Sequence, residues 1–103
     1  MNSNDIALFQ EMTRILETPE AVVIEVAEIH WLGPHNPFTV WHPIIVLKSG
    51  TTSETINESR KALLNRKRFF LMCSECGLRH AKGHMHSPKL CMICAERHHG
   101  VVY

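Results

Sequence analysis

The sequence predicts an α+β fold, with a small domain of helices and a short sheet over residues 1–68 and a cysteine-bearing module over residues 69–103. Three observations support this prediction. The length of 103 residues suits one small core with an appended module. Helix-type spacing of apolar residues alternates with runs of β-branched residues in the first two thirds. All four cysteines lie in the last third.

The first element is predicted to be a helix over residues 6–17, IALFQEMTRILE. Ile6, Phe9 and Leu16 recur at helical spacing. Asn4 and Asp5 precede this stretch and are residue types that cap helices.

Residues 19–32 carry two conflicting signals. Thr18-Pro19-Glu20 has the composition of a helix start, with a capping hydroxyl followed by proline and an acid. The following AVVIEVAEI is dense in β-branched residues, which favour strands. We predict a strand here, with a helix as the alternative.

The next segment is predicted to be a loop and a second strand. Gly33-Pro34 and Asn36-Pro37 mark a tight loop within WLGPHNPF. Residues 39–48 then favour a strand, which Pro43 would confine to a sheet edge or divide in two.

A second helix is predicted over residues 51–67, because Thr51 and Glu54 have the spacing of a capping box. Ile56, Leu63 and Leu64 would face inward. Residues 68–72, RFFLM, should form a short strand that leads into the first cysteine pair.

The cysteine spacing is the strongest chemical signal in the chain. Cys73 and Cys76 are separated by two residues, as are Cys91 and Cys94, with fourteen residues between the pairs. Each pair suits a tight turn that aims both sulfurs at one ion, and two pairs complete the tetrahedral sulfur shell of structural zinc. Gly77 suits the positive φ that such a turn requires. The alternatives are an iron site, redox dithiols and buried thiols without metal.

The residues around the second pair extend this zinc-finger prediction. GLRHAKGHMHSPKL, residues 77–90, is compatible with a hairpin, and AERHH followed by Gly100 is compatible with a short terminal helix. This order resembles the zinc-ribbon and treble-clef group. CSECG followed by PKLCMIC is similar to the four-cysteine finger of the DksA/TraR type, which would imply association with RNA polymerase. That family places a long coiled coil before its finger, where this chain has one short basic helix. The tail CAERHHGVVY resembles tails of small bacterial proteins.

The histidines allow two interpretations each. His84 and His86 would share one face of a strand and bind a second metal or phosphate, or else lie solvated on a hairpin. One of His98 and His99 would lie near the helix C-terminus, where the cationic form of histidine is favoured. The other would pack under the cysteine turn, or one of the two would replace a cysteine ligand. His30, His35 and His42 alternate with Trp31 and Trp41, which is typical either of base stacking or of an ordinary core rim.

Charge divides the chain into two unequal halves. Residues 1–56 hold seven acids and two bases, a net charge of −5, whereas residues 57–103 hold three acids and nine bases, a net charge of +6. If they share a surface, these bases would bind a polyanion in a salt-sensitive way; otherwise they form a solvated surface. The predicted nucleic-acid-binding residues are Arg60, Lys61, Arg66, Lys67, Arg68, Arg79, Lys82, Lys89 and Arg97.

These features predict a non-enzymatic zinc protein that binds nucleic acid or a nucleic-acid enzyme through its basic half. The alternative is a protein-interaction adaptor or small regulator, in which the acidic half and the AVVIEVAEIHWL stretch contact a partner protein or a second copy. A third hypothesis, a metal-dependent nuclease, would need an open metal position or His84 and His86 as ligands. The chain ends three residues after Gly100, which leaves no room for the helix of an HNH-type motif.

The remaining expectation concerns location. No stretch reaches the roughly 18 apolar residues of a membrane span, and MNSNDIALFQEM lacks a secretory pattern. The sequence therefore predicts a cytoplasmic chain without a membrane partner, in which thiols stay reduced.

Overall fold

The computed structural model describes residues 2–103 and has the predicted α+β class. A three-stranded antiparallel sheet and two small two-stranded sheets combine with three helices. The elements are α1 (Ser3–Met12), β1 (Thr13–Glu17), β2 (Ala21–Trp31), β3 (Pro37–Lys48), α2 (Ser53–Leu63), β4 (Phe70–Met72), β5 (Arg79–Ala81), a 3₁₀ turn (Lys82–His84), β6 (Met85–Ser87), β7 (Leu90–Cys91) and α3 (Met92–His99).

The first helix is shorter than its apolar spacing predicts. The Asn2 side chain caps α1 by accepting a hydrogen bond from the Asp5 amide at 2.8 Å. The predicted helix through residue 17 is wrong after Met12, because Thr13–Glu17 form β1 and pair along the whole of that length with β2. Strand pairing with the following segment outweighs a local helical pattern here.

The open question over residues 19–32 resolves in favour of the strand. β2 is the central strand of the sheet, where Ile24 pairs with Ile15 on one side and Ile45 on the other. The helix-start signal before it forms a turn instead. The Thr18 hydroxyl accepts a hydrogen bond from the Ala21 amide at 3.0 Å.

Pro43 lies where proline is tolerated, as predicted. The strand order β1-β2-β3 puts β3 at an edge, and its register shifts beside Pro43. Ile24 pairs with Ile45 but Glu25 pairs with Pro43, so Ile44 is the extra residue of a bulge.

The second helix is displaced from its predicted start. Thr52, not Thr51, is the cap, and its hydroxyl accepts the Thr55 amide hydrogen bond at 3.3 Å. Thr51 instead closes the preceding turn onto the Lys48 carbonyl. α2 ends at Leu63 rather than residue 67, and Ile56, Leu63 and Leu64 are buried as predicted.

Two groups of buried side chains organise the chain. The first, which we call the sheet core, is apolar and contains Met12, Val22, Ile24, Val26, Ala27, Ile56, Leu63, Leu64, Phe69, Phe70 and Ala81. The second, which we call the cysteine cluster, contains Cys73, Cys91 and Cys94, with Met85 and Leu90 packed against them.

Side-chain hydrogen bonds join the residues on either side of the predicted boundary at 68/69. Asn4 Nδ2 donates to the Arg79 carbonyl at 2.8 Å, and Arg79 pairs with Asp5 at 2.8 Å. Trp31 Nε1 donates to the Gly83 carbonyl, also at 2.8 Å. The sheet core itself includes Phe69, Phe70 and Ala81. Division into two domains at this boundary stays a prediction.

None of the helices formed within residues 2–103 combines the length and the apolar character needed to cross a bilayer.

Candidate metal centre

The first cysteine pair lies in a tight turn between β4 and β5. The Gly77 amide donates to the Cys73 carbonyl at 2.9 Å, and Gly77 has the predicted positive φ, at 69°. Ser74 ties this turn to the residues before the second pair, because its amide and its hydroxyl both donate to the Lys89 carbonyl, at 2.8 and 2.9 Å. The backbone thus holds the two halves of the site together.

The second cysteine pair begins the last helix. Cys91 is the N-cap of α3, and its sulfur accepts a hydrogen bond from the Cys94 amide at 3.4 Å. The positive end of a helix favours a thiolate at this position. The helix ends as predicted at Gly100, which has a φ of 65°.

These two turns bring the four sulfurs together. The Sγ atoms of Cys73, Cys76, Cys91 and Cys94 all lie within 4.8 Å of one another, and all four thiols are free. Zn–S bonds of about 2.3 Å place the sulfurs of a tetrahedral site about 3.8 Å apart. The cluster therefore fits one metal ion after small side-chain adjustments. Cys76 is exposed while the other three are buried, so an ion has a route in from solvent.

The electrostatics of the cluster favour a cation at its centre. The backbone amide of Cys76, followed by that of Cys91, lowers the pKa of Cys73 to about 6. Burial, followed by the neighbouring thiols, raises the pKa of Cys94 to about 12, and burial also raises the pKa of Cys76. Without an ion, a second thiolate would face the charge of the first. A divalent cation removes that repulsion and holds the sulfurs deprotonated.

His80 contacts one of the four cysteines, and the sequence did not predict this contact. Its Nε2 lies 3.4 Å from the sulfur of Cys76. An N–H donated to a ligating thiolate would orient that sulfur. The only signal in the sequence is its position four residues after Cys76, which does not by itself separate it from the other histidines.

The terminal histidines lie beside the first cysteine turn. His99 Nε2 contacts Glu75 Oε1 at 2.6 Å. His98 has a ring nitrogen within 4.8 Å of both Cys94 and Glu75. Both histidines are exposed, and replacement of a cysteine ligand by one of them stays a prediction.

His84 and His86 make contacts with different partners. The His84 ring meets Trp31 edge to face, and the His86 Nδ1 contacts the Tyr103 hydroxyl at 2.7 Å. Within residues 2–103, neither histidine belongs to a cluster of three side chains able to hold an ion.

The nine predicted nucleic-acid-binding residues divide into groups. Arg60 is used internally, because its guanidinium contacts Thr13 and lies over the Phe9 ring at 4.2 Å. Lys67, Arg79 and Lys89 line one groove. Arg68 and Lys82 line a separate cavity of about 390 Å³. The residues exposed to solvent are Lys61, Arg66, Lys67, Arg68, Lys82, Lys89 and Arg97.

No protein-family model, curated protein or solved structure matches this chain. The resemblance to the DksA/TraR finger therefore has no support from these comparisons.

Proposed function

We propose that the chain is a zinc protein in which Cys73, Cys76, Cys91 and Cys94 hold one structural ion. The observation that carries this proposal is the closed set of four sulfurs within 4.8 Å. Four thiolates fill the tetrahedral positions of zinc, which leaves none for a substrate. A structural rather than catalytic role for this ion follows, in a reducing compartment such as the cytoplasm, where the thiols remain available to the metal.

We further propose that the basic half binds nucleic acid or docks on a nucleic-acid enzyme, with nucleic acid itself as the partner that the groove favours. The support is a groove of about 440 Å³ lined by Lys67, Arg79 and Lys89, with Met72 and Pro88 among its apolar walls. Arg79 is committed to Asp5, but Lys67 and Lys89 are exposed and form no ion pair among the described residues. Lysines at the rim would contact phosphates, and the apolar wall would pack against bases.

Binding of a labelled single-stranded oligonucleotide at several salt concentrations tests this proposal. The double substitution Lys67→Glu and Lys89→Glu should weaken binding and reduce the magnitude of the slope of log K against log salt by about 1.4, because two phosphate contacts are lost and each contributes about 0.7 on a single strand. Lys48→Glu reverses one lysine charge at the exposed end of β3, and each single variant, Lys67→Glu or Lys89→Glu, is compared with it as the control. Wild-type protein that fails to bind at about 50 mM salt, or a double variant that behaves like Lys48→Glu, contradicts the proposal.

A second proposal, a protein-interaction adaptor, is favoured by one observation. Trp31, Leu32, Phe38 and Val46 are exposed apolar side chains on or beside the hairpin of β2 and β3, and Leu32 is 73% exposed. Val22, Ile24, Val26 and Ala27 are buried, so the contact surface of the AVVIEVAEIHWL stretch is reduced mainly to its last residues. Analytical ultracentrifugation of wild type and Leu32→Asp distinguishes the two proposals, since only the adaptor hypothesis in its homodimer form expects a dimer that the substitution dissociates.

A further inference from the structure

The hairpin of β2 and β3 brings a carboxylate and two imidazoles onto one face of the sheet. Glu28 and His30 are two residues apart on β2 and so point to the same side. His42 pairs with Val26, the residue two positions before Glu28, which puts His42 on that same side. The three residues are far apart from the four cysteines in sequence, and the proposed function makes no use of them.

The three side chains converge closely enough to share an ion. One ligand atom from each of Glu28, His30 and His42 lies within 4.8 Å of the others. His30 Nε2 is 2.6 Å from one carboxylate oxygen of Glu28, and His42 Nε2 is 3.5 Å from the other. Zinc bonds of about 2.0–2.1 Å place neighbouring ligand atoms about 3.3 Å apart in a tetrahedron. The longer contact already matches that spacing, and the shorter one must open by about 0.7 Å.

Hydrogen bonding within this group leaves one atom unsatisfied. His42 Nε2 is buried and makes no hydrogen bond to any described residue, although the Glu28 carboxylate lies nearby. A buried imidazole nitrogen without a partner is costly. An ion between the histidines and the carboxylate would supply the partner that His42 lacks.

The surroundings position the group and leave it accessible. The ring of Phe38 stacks on His30 with centroids 5.3 Å apart, which restricts the imidazole. The side chains of His30, His42 and Glu28 are 43%, 30% and 34% exposed, so an ion can reach them from solvent.

We propose that Glu28, His30 and His42 form a second metal site, for a divalent ion of the zinc class. Two imidazoles and one carboxylate favour such an ion over Mg²⁺ or Ca²⁺, which take oxygen ligands. Three protein ligands leave a fourth position for water or for an acidic group of a bound molecule. The site differs in kind from the sulfur cluster, because it leaves one coordination position free, whereas four cysteines fill all the positions of a tetrahedral ion.

Titration of the 103-residue chain, already loaded with one zinc at the four cysteines, with further Zn²⁺ tests the site, and Co²⁺ absorption reports its ligands. Wild type should bind a second equivalent. The second equivalent of Co²⁺ should add d–d bands without further thiolate charge transfer. Glu28→Gln and His42→Ala should each lower the affinity for the second ion by more than roughly 10- to 100-fold, which is the loss expected when a residue that only hydrogen-bonds to a ligand is removed. Both variants should keep the first ion.

His35→Ala is the matched control, because His35 is an exposed histidine in the loop of the same hairpin. It should leave both equivalents unchanged. Saturation of wild type at a single ion would overturn the proposal. So would a second ion that Glu28→Gln and His42→Ala bind as tightly as wild type, since that ion would be held elsewhere on the surface. Retention of the first ion and of the far-ultraviolet circular dichroism spectrum shows that the variants are folded.

Discussion

The sheet core and the cysteine cluster bury their side chains by different means. The sheet core joins eleven buried apolar residues drawn from both helices α1 and α2, the large sheet and the β4–β5 hairpin. The cysteine cluster has three buried cysteines with two partly buried apolar neighbours. A group that small cannot offset the conformational entropy of some thirty ordered residues by apolar burial. Apolar burial stabilises the sheet core, whereas the cysteine cluster would need the proposed metal ion in addition.

The largest expected effect comes from removing the proposed metal. Cys91→Ser should unfold residues 73–100 and leave the sheet formed, because the apparent binding free energy of structural zinc, about 10–16 kcal/mol, is also folding free energy. Two-dimensional amide NMR spectra would show loss of dispersion in the C-terminal third alone. Chelation of wild type should give the same spectrum, and added zinc should restore wild type but not Cys91→Ser. Unchanged C-terminal resonances after chelation would remove the distinction between the two regions.

A smaller effect is expected from a cavity in the sheet core. Leu63 is 0% exposed, so Leu63→Ala should cost about 2–5 kcal/mol of unfolding free energy in zinc-saturated buffer. Leu32→Ala makes the same chemical change at a side chain that is 73% exposed and should stay within about 0.5 kcal/mol of wild type. Urea unfolding followed by circular dichroism measures both. Equal midpoints for the two variants would mean that the sheet core does not stabilise the chain.

The smallest of these effects concerns the contact between β2 of the large sheet and the 3₁₀ turn that lies between the two cysteine pairs in the chain. A Cβ at Gly83 would lie 2.7 Å from both the Cβ and the carbonyl oxygen of Ile29, so only glycine lets the 3₁₀ turn approach β2 this closely. Gly83→Ala should cost about 1–3 kcal/mol through the forced separation. It should also change the fluorescence of Trp31, which donates to the Gly83 carbonyl.

Lys82→Ala changes the exposed neighbour of Gly83 and is the control for that substitution. It should alter the urea midpoint and the fluorescence little, since substitutions at surface positions usually change the free energy of unfolding by no more than about 0.5 kcal/mol. If Gly83→Ala matches Lys82→Ala in both measurements, the close approach does not hold the two regions together.

The sequence predicted the elements whose signals are local. The spacing of the cysteines, the positive φ of Gly77 and the stop at Gly100 each depend on a few neighbouring residues, and the structure agrees with them. Pro43 was likewise placed correctly, because a missing amide hydrogen excludes a central strand.

The features that the sequence did not predict depend on how successive strands pair with one another. Thr13–Glu17 continue a helical pattern but pair with β2, which local spacing does not reveal. The group formed by Glu28, His30 and His42 depends on the register between β2 and β3 and on the bulge beside Pro43. A shift of one residue would send His42 to the other face. His80 meets Cys76 only because β5 returns beside the first cysteine turn.

The central claim is that one ion organises all four cysteines, and counting reactive thiols tests it most directly. The reduced, metal-free chain should show four thiols that react with a thiol reagent, and one equivalent of zinc should protect all four together. Four thiols that stay fully reactive in the presence of zinc, or protection of only one pair, would contradict the claim.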